Sequence, residues 1–266
     1  SQKDIEKSVE LIKESRSKYS YQIDGAVLKV DSLQAQDELG FTSKSPRWAV
    51  AFKFPSEEQT TILKDIKLQT GRTGAITPVA VLEPIDVGGA KVSFATLHNP
   101  DEINRKDLRI NDYVIVRRAG DVIPEVVSSL KDRRDGSQKK WELPKKCPCG
   151  EFSIELIDEE KVPRCEGGQS CNLAKKEAII FFGSKSGLEI DGLGRETVET
   201  LLESKLINNV EDIYSLKYED LIDLPSWEKK KTNNLLNAIK SSTNASPEKL
   251  LTALGIRFIG KRTSQL

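Results

Sequence analysis

Apolar positions follow three regimes along the chain. Ile5, Val9 and Ile12 recur at helical spacing, so residues 1–17 are expected to form an amphipathic helix. Residues 21–30 and 47–54 read as strands, and SLQAQDELGF between them predicts a short helix stopped by Gly40. From about 60 to 130 the pattern turns β-rich, and TTILKDIKLQ, ITPVAVLEPIDV, KVSFATL and YVIVRRAGDVIPEVV predict four strands. HNPDEINRKDLRI interrupts them with a helix start: Asn99 as N-cap, Pro100 in the first turn, then Asp101 and Glu102. Several strands over seventy residues with one short helix suit a small Greek-key barrel. Residues 131–146 are rich in Lys and Arg and predict a linker, and from 174 onward the pattern is helical.

Alternation sorts the side chains of the first two strands. Trp48, Val50, Phe52 and Phe54 share a large face able to pack a core, and Ala49, Ala51 and Lys53 share a small one. In GAVLKV, Ala26, Leu28 and Val30 share a face, and Val27 points the same way as Lys29. Two such strands side by side would aim both ammonium groups into one cavity, where a phosphate is the natural occupant. Such groups can stabilise charge that develops during phosphoryl or nucleotidyl transfer. A solvated sheet face is the alternative for both lysines.

Composition narrows the field. The chain has 266 residues, 37% hydrophobic and 31% charged, and its formal net charge is zero. Its length suggests two or more domains. No apolar run approaches a membrane span, and no secretory signal pattern opens the sequence, so a cytoplasmic protein is expected. Neutral net charge gives no global hint of nucleic acid. One histidine, His98, makes histidine-centred acid–base chemistry unpromising. The chain begins at Ser1, contains no methionine and ends in LGIRFIGKRTSQL without a cap, and we expect an internal piece of a longer protein.

All four cysteines lie between 147 and 171, a clustering that favours a local metal site over long-range disulfides. Cys147, Cys149, Cys165 and Cys171 suit a closed tetrahedral Zn²⁺ site. In Cys147-x-Cys149 an extended backbone would point the sulfurs apart, so the loop must bend, with Gly150 placed to help. A degenerate finger held by packing is the rival. TGRTGAITP puts Arg72 at a turn between Gly71 and Gly74, within reach of a phosphate or a groove edge, or else as an ordinary hairpin arginine. In EIDGLGRETVETLL, Gly192 and Gly194 expose amides ahead of a helix, which makes a phosphate site or a simple glycine cap.

Taken together, these stretches resemble one family. DGAVLKV and RWAVAFKFP look like the fourth and fifth nucleotidyltransferase motifs of bacterial NAD-dependent DNA ligases. LQTGRTGAITPVAVLEPIDVGGAKVSFATLHNPDEI with RRAGDVIPEVV resembles their OB-fold, CPCG…RCEGGQSC their zinc finger, and EIDGLG the start of their helix–hairpin–helix domain. The resemblance covers essentially the whole chain. It implies a multidomain α+β protein: the end of a nucleotidyltransferase (adenylation) domain over 1–56, an OB-fold β-barrel over 57–141, a small four-cysteine zinc finger over 142–173 and a truncated all-α helix–hairpin–helix domain over 174–266.

What the resemblance implies for function is nick sealing in duplex DNA, in replication and repair, by a bacterial, nucleoid-associated monomer that uses NAD and Mg²⁺ (or Mn²⁺). Lys29 and Lys53 would contact the adenylate phosphate, and Asp24 would help build the pocket. Arg72, Gly192 and Gly194 would lie against nicked double-stranded DNA. The family pattern has two residues between the first two cysteines where this chain has one. Glu228 stands where a second hairpin would carry glycine. Ala253-Leu254-Gly255 with Ile259-Gly260 resembles the opening of a third hairpin. The family's nucleophilic lysine sits in K-x-D-G, which does not occur here. The nucleophile is therefore expected upstream of Ser1, and the chain alone is expected to be inactive in self-adenylation. A non-catalytic DNA clamp is the alternative, though a clamp has no need of paired phosphate-facing lysines. An RNA or capping nucleotidyltransferase would share the lysines but not the finger-plus-hairpin order.

Overall fold

A computed structural model describes residues 2–15, 18–21, 23–42, 44–54, 56–118, 123–156, 162–225 and 227–265. The chain divides into two units, residues 1–66, 80–96 and 106–140, and residues 67–79, 97–105 and 141–266.

The first unit opens with helix α1 (Gln2–Glu14), which buries Val9 alone of its apolar stripe, Ile5 staying 46% exposed; residues 16 and 17 of the expected helix lie outside the described residues. Strands β1 (Gly25–Lys29) and β2 (Ala49–Lys53) form an antiparallel ribbon around helix α2 (Leu33–Leu39). Ser32 caps α2, its hydroxyl accepting from the Ala35 amide, and Gly40 ends it at φ +63°, as expected from the sequence. Gly25 is required by close approach: a Cβ there would collide with the Phe52 carbonyl oxygen. The large face of β2 does not pack a core. Phe54 just beyond it is buried, but Val50 is 65% and Phe52 48% exposed. A ribbon of only two strands has too little area to cover its own apolar faces.

The β-rich region closes into a barrel. Its strands are β3 (Glu57–Thr70), β4 (Ile76–Val87), β5 (Ala90–Thr96), β7 (Tyr113–Arg118) and β8 (Glu125–Ser129), in the order β3-β4-β5-β8-β7 and back to β3. The β5–β8 pairing is parallel and the β3–β7 and β7–β8 pairings antiparallel, a Greek-key closure that leaves no open edge. Leu63, Ala80, Leu82, Val114, Val116 and Val126 are buried at alternate strand positions. YVIVRRAGDVIPEVV, expected as one strand, is two. Arg117 and Glu125 face each other across their ladder and form an ion pair at 2.6 Å. Residues 119–122, between the two strands, lie outside the described residues. Helix α3 (Pro100–Lys106) starts as expected, with the Asn99 Oδ1 accepting from the Glu102 amide at 2.8 Å.

The stretch expected as a linker is in part tied to the barrel. Strand β6 (Arg109–Ile110) pairs with β9 (Lys139–Lys140). Between them Arg134 donates from Nε and Nη2 to the two carboxylate oxygens of Asp112, both at 2.8 Å, and from Nη1 to Asp107 at 2.7 Å. Asp112 is completely buried in the turn that leads into β7. A run of charges that reads as solvated is thus anchored through one arginine, because a buried carboxylate must be paired.

The second unit contains the hairpin β10 (Ile154–Leu156) and β11 (Pro163–Cys165) and then helices α4 (Asn172–Gly183), α5 (Arg195–Glu203), α6 (Tyr218–Ile222), α7 (Lys229–Ser242) and α8 (Pro247–Ala253). Phe182, Leu193, Leu201, Leu221, Trp227 and Leu235 belong to one buried core. Among the described residues no helix is long and apolar enough to cross a membrane.

Candidate functional site

The β1–β2 register sets the geometry of the two lysines. Lys29 lies opposite Ala49 and Lys53 opposite Gly25. Directly opposed residues in an antiparallel pair share a face, so both lysines stand on one side of the ribbon with Val27, Ala49 and Ala51. They occupy opposite ends of it, four residues apart, or roughly 13 Å along the strands. Both are exposed, and the Lys29 ammonium sits 5.9 Å from the centre of the Trp48 ring, at the outer limit of a cation–π contact. Asp24 precedes β1, and its carbonyl accepts the Phe54 amide at 2.9 Å. The small side chains between the lysines leave room for a bulky anion, which each flexible stem would approach from one end.

The four cysteines converge. Their sulfurs all lie within 4.8 Å of one another. A tetrahedron of Zn–S bonds of about 2.3 Å has edges of about 3.8 Å, so the donor set fits zinc. Three local structures bring the sulfurs together. Cys147-Pro148-Cys149-Gly150 is a tight turn closed by the Gly150 amide on the Cys147 carbonyl, with Gly150 at φ +83°. That bend reconciles C-x-C with convergence. Cys165 ends β11, and Cys171 caps α4. Backbone amides serve the sulfurs: Phe152 and Glu151 on Cys149, Gly167 on Cys165, Ala174 and Leu173 on Cys171. Burial opposes ionisation of Cys149, yet the Phe152 and Glu151 amides together with hydrogen bonds from Cys147 and Cys171 outweigh it and lower the thiol to about 7. Burial pushes Cys165 and Cys171 up. Buried thiols served by amides suit thiolates that a cation neutralises.

Arg72 sits in the turn between β3 and β4, beside the finger. The Cys165 amide bonds to the Gly74 carbonyl at 2.9 Å, and Arg164 donates to the Thr73 carbonyl at 3.1 Å. The Arg72 guanidinium lies 3.5 Å from the centre of the Phe181 ring, and its side chain packs against Gly255. A cavity of about 900 Å³ opens there, lined by Arg72, Lys185, Lys249 and Lys261 with Glu248 as its carboxylate.

Gly192 and Gly194 belong to a turn that occurs three times along the described residues. The Leu193 amide donates to the Ile190 carbonyl, Trp227 to Leu224, and Ile259 to Ile256, at 3.0–3.1 Å. Each turn then launches the next segment with the same bond from four residues on: Val198 to Gly194, Thr232 to Glu228, Ser264 to Gly260. The third residue is left-handed in the two turns in which it is described. Gly192 is at φ +84° and Phe258 at +67°, and Ser226 lies outside the described residues. Glu228 stands in the place of Gly194, where the backbone is extended in both (φ −126° and −81°), so no glycine is required there. The sequence shows one clear unit because the second turn has neither glycine and the third keeps only Gly260, whereas the apolar pairs 190/193, 224/227 and 256/259 all recur.

Comparison with known proteins agrees with these features. Residues 1–57 match the family model described as the NAD-dependent DNA ligase adenylation domain, and residues 60–138 match the NAD-dependent DNA ligase OB-fold domain. The chain is 48% identical over 265 residues to the DNA ligase of Bacillus licheniformis, and 48% identical over 265 residues to that of Bacillus subtilis. Each match covers 98% of this chain and 39% of the relative. The DNA ligase of Thermoanaerobacter sp. (strain X514) is 46% identical over 264 residues, 99% of this chain and 40% of the relative. The chain thus spans about two fifths of the length of these curated relatives.

Proposed function

We propose, from the premise that the chain belongs to the NAD-dependent DNA ligase family, that it serves an enzyme sealing nicks in duplex DNA through lysyl-AMP and DNA-adenylate intermediates. The observation that carries this reading is the succession of an adenylation-domain match and an OB-fold match on a chain whose second stretch closes into a five-stranded barrel. In this reading a lysine from elsewhere in the parent protein attacks the α-phosphate of NAD and releases nicotinamide mononucleotide. AMP then moves to the 5′-phosphate at the nick, and the 3′-hydroxyl displaces it.

Lys29 and Lys53 hold the adenylate from the two ends of the ribbon face, where their charge is worth most as the phosphoryl oxygens gain negative charge. Asp24, at the mouth of the same ribbon, shapes the pocket. Magnesium, or manganese, supplies Lewis-acid polarisation of the phosphates when bound. The cysteines hold a structural zinc that fixes β11, and through it the Arg72 turn. The three turns form a helix–hairpin–helix domain whose Gly192 and Gly194 amides, with Arg72, face the DNA backbone. The enzyme acts in replication and repair as a cytoplasmic monomer.

The test is kinetic. In the full-length enzyme, Lys29→Ala or Lys53→Ala is expected to slow AMP transfer by about a hundred-fold, with duplex affinity little changed. Unaltered adenylation and sealing rates in both variants would end the proposal. Zinc analysis of the purified protein is expected to give close to one equivalent, and a value below half counts against the four-cysteine site.

A further inference from the structure

Helix α5 ends on a lysine that packing does not explain. The Leu206 amide donates to the Leu201 carbonyl and the Lys205 amide to the Leu202 carbonyl, both at 3.0 Å. The helix therefore closes in a Schellman motif, with Lys205 as its left-handed residue at φ +56°. Glycine is the usual occupant because it takes this backbone without strain, as Gly40 does at the end of α2. The Lys205 side chain is exposed and recovers nothing by burial. Strain of this kind persists where a site makes use of it.

Lys205 stands on the rim of a groove of about 550 Å³ between the start of α4 and the end of α5. Leu173, Leu202 and Ile207 form the floor, and Lys175, Lys176 and Lys205 the rim. Lys176 is held by Glu199 at 2.9 Å, whereas Lys175 and Lys205 form no ion pair among the described residues. That Lys176–Glu199 bridge ties α4 to α5, and the Leu173 amide serves the Cys171 sulfur, so the groove is formed before anything enters it. Among the described residues the lining has no carboxylate, no arginine and no aromatic ring. On a chain of zero net charge, an apolar floor beneath unpaired ammonium groups is complementary to a segment that carries both apolar side chains and carboxylates. Asn172 and Asn208, exposed at the lining, offer carboxamides to a peptide backbone. A nucleic acid fits less well, because the groove has no guanidinium fork for a phosphate and no ring for a base.

We propose that the α4–α5 groove docks a short acidic segment of another protein, whose large apolar side chains lie over Leu173, Leu202 and Ile207 while flanking carboxylates meet Lys175 and Lys205. This goes beyond the nick-sealing reading and does not depend on it.

Selection of a displayed library of random short peptides on the unmodified chain tests it, followed by fluorescence anisotropy of the enriched peptide. The enriched sequences are expected to combine Asp or Glu with Leu, Ile or Phe. Changing the acids of that peptide to amides, or its apolar residues to serine, is expected to weaken binding about ten-fold. Lys205→Gly is expected to weaken it about three- to five-fold, with the melting temperature equal or higher because glycine accepts the backbone. Lys175→Gln combined with Lys205→Gly is expected to weaken it about ten-fold, and both variants are expected to bind a nicked duplex as the unmodified chain does. If no acidic–apolar peptide is enriched, or if the enriched peptide binds both variants as tightly as the unmodified chain, the proposal is overturned. If the variants lose duplex affinity instead, the groove is a nucleic-acid face and the proposal is overturned by that result too.

Discussion

Asp112 is a fully buried carboxylate, and it is tolerable because Arg134 satisfies both of its oxygens while the Arg109 amide donates to one of them. Removing one partner of such a pair leaves an uncompensated charge. Arg134→Gln is therefore expected to destabilise the protein by about 3 kcal/mol, read as a shift in the urea midpoint at constant slope. Asp107 gives the pH dependence its sign. The hydrogen bond from Arg134, ahead of the one from Arg109, lowers its carboxyl to about 2. Folding thus depresses this pKa, so the stabilisation is full above the ordinary carboxylate value of about 4 and is lost as pH falls through about 2. Asp107→Asn should flatten the acid limb of the stability profile, and a limb as steep as that of the unmodified chain would show that other carboxylates set it. Neither residue stands out in the sequence. Arg134 sits in a run of charges that local pattern assigns to solvent, and only the fold places it against a carboxylate twenty-two residues away.

At the scale of elements, whatever depends on near neighbours is legible in the sequence. Asn99 caps its helix, Gly40 ends another, and β4 runs over the residues its alternation marks out. The pattern misleads where a partner is distant. YVIVRRAGDVIPEVV carries apolar residues throughout, and its reversal follows from pairing with β3 and β5, which a linear pattern does not contain. The lysine pair is half legible: alternation puts both on one face, but only the register reveals that they stand at opposite ends. The finger depends on a single bend. Gly150 holds φ +83° between two ligand segments. Gly150→Ala is therefore expected to cost about 1–2 kcal/mol and to raise the dissociation constant for zinc, measured by chelator competition. Unchanged zinc affinity would mean that the bend does not hold Cys147 and Cys149 together.

At the scale of the whole molecule, the chain covers about two fifths of its relatives and contains no K-x-D-G. Incubation with NAD and magnesium is expected to leave it without an AMP adduct by mass spectrometry, and a mass gain of one adenylate would identify another nucleophile within it. Zero net charge predicts weak long-range attraction to DNA, so its affinity should come from local arginines and lysines and fall steeply with salt. The β1–β2 ribbon bears on how the chain behaves in a tube. Val27 stands uncovered on one side, Val50 and Phe52 on the other, and charged residues interrupt them only at the tips. A short two-sided apolar ribbon whose outer edges pair with no further strand among the described residues invites stacking between molecules. Concentrated or warmed solutions should scatter light before the barrel melts, and a single Val50→Lys replacement should delay that clouding without moving the unfolding transition.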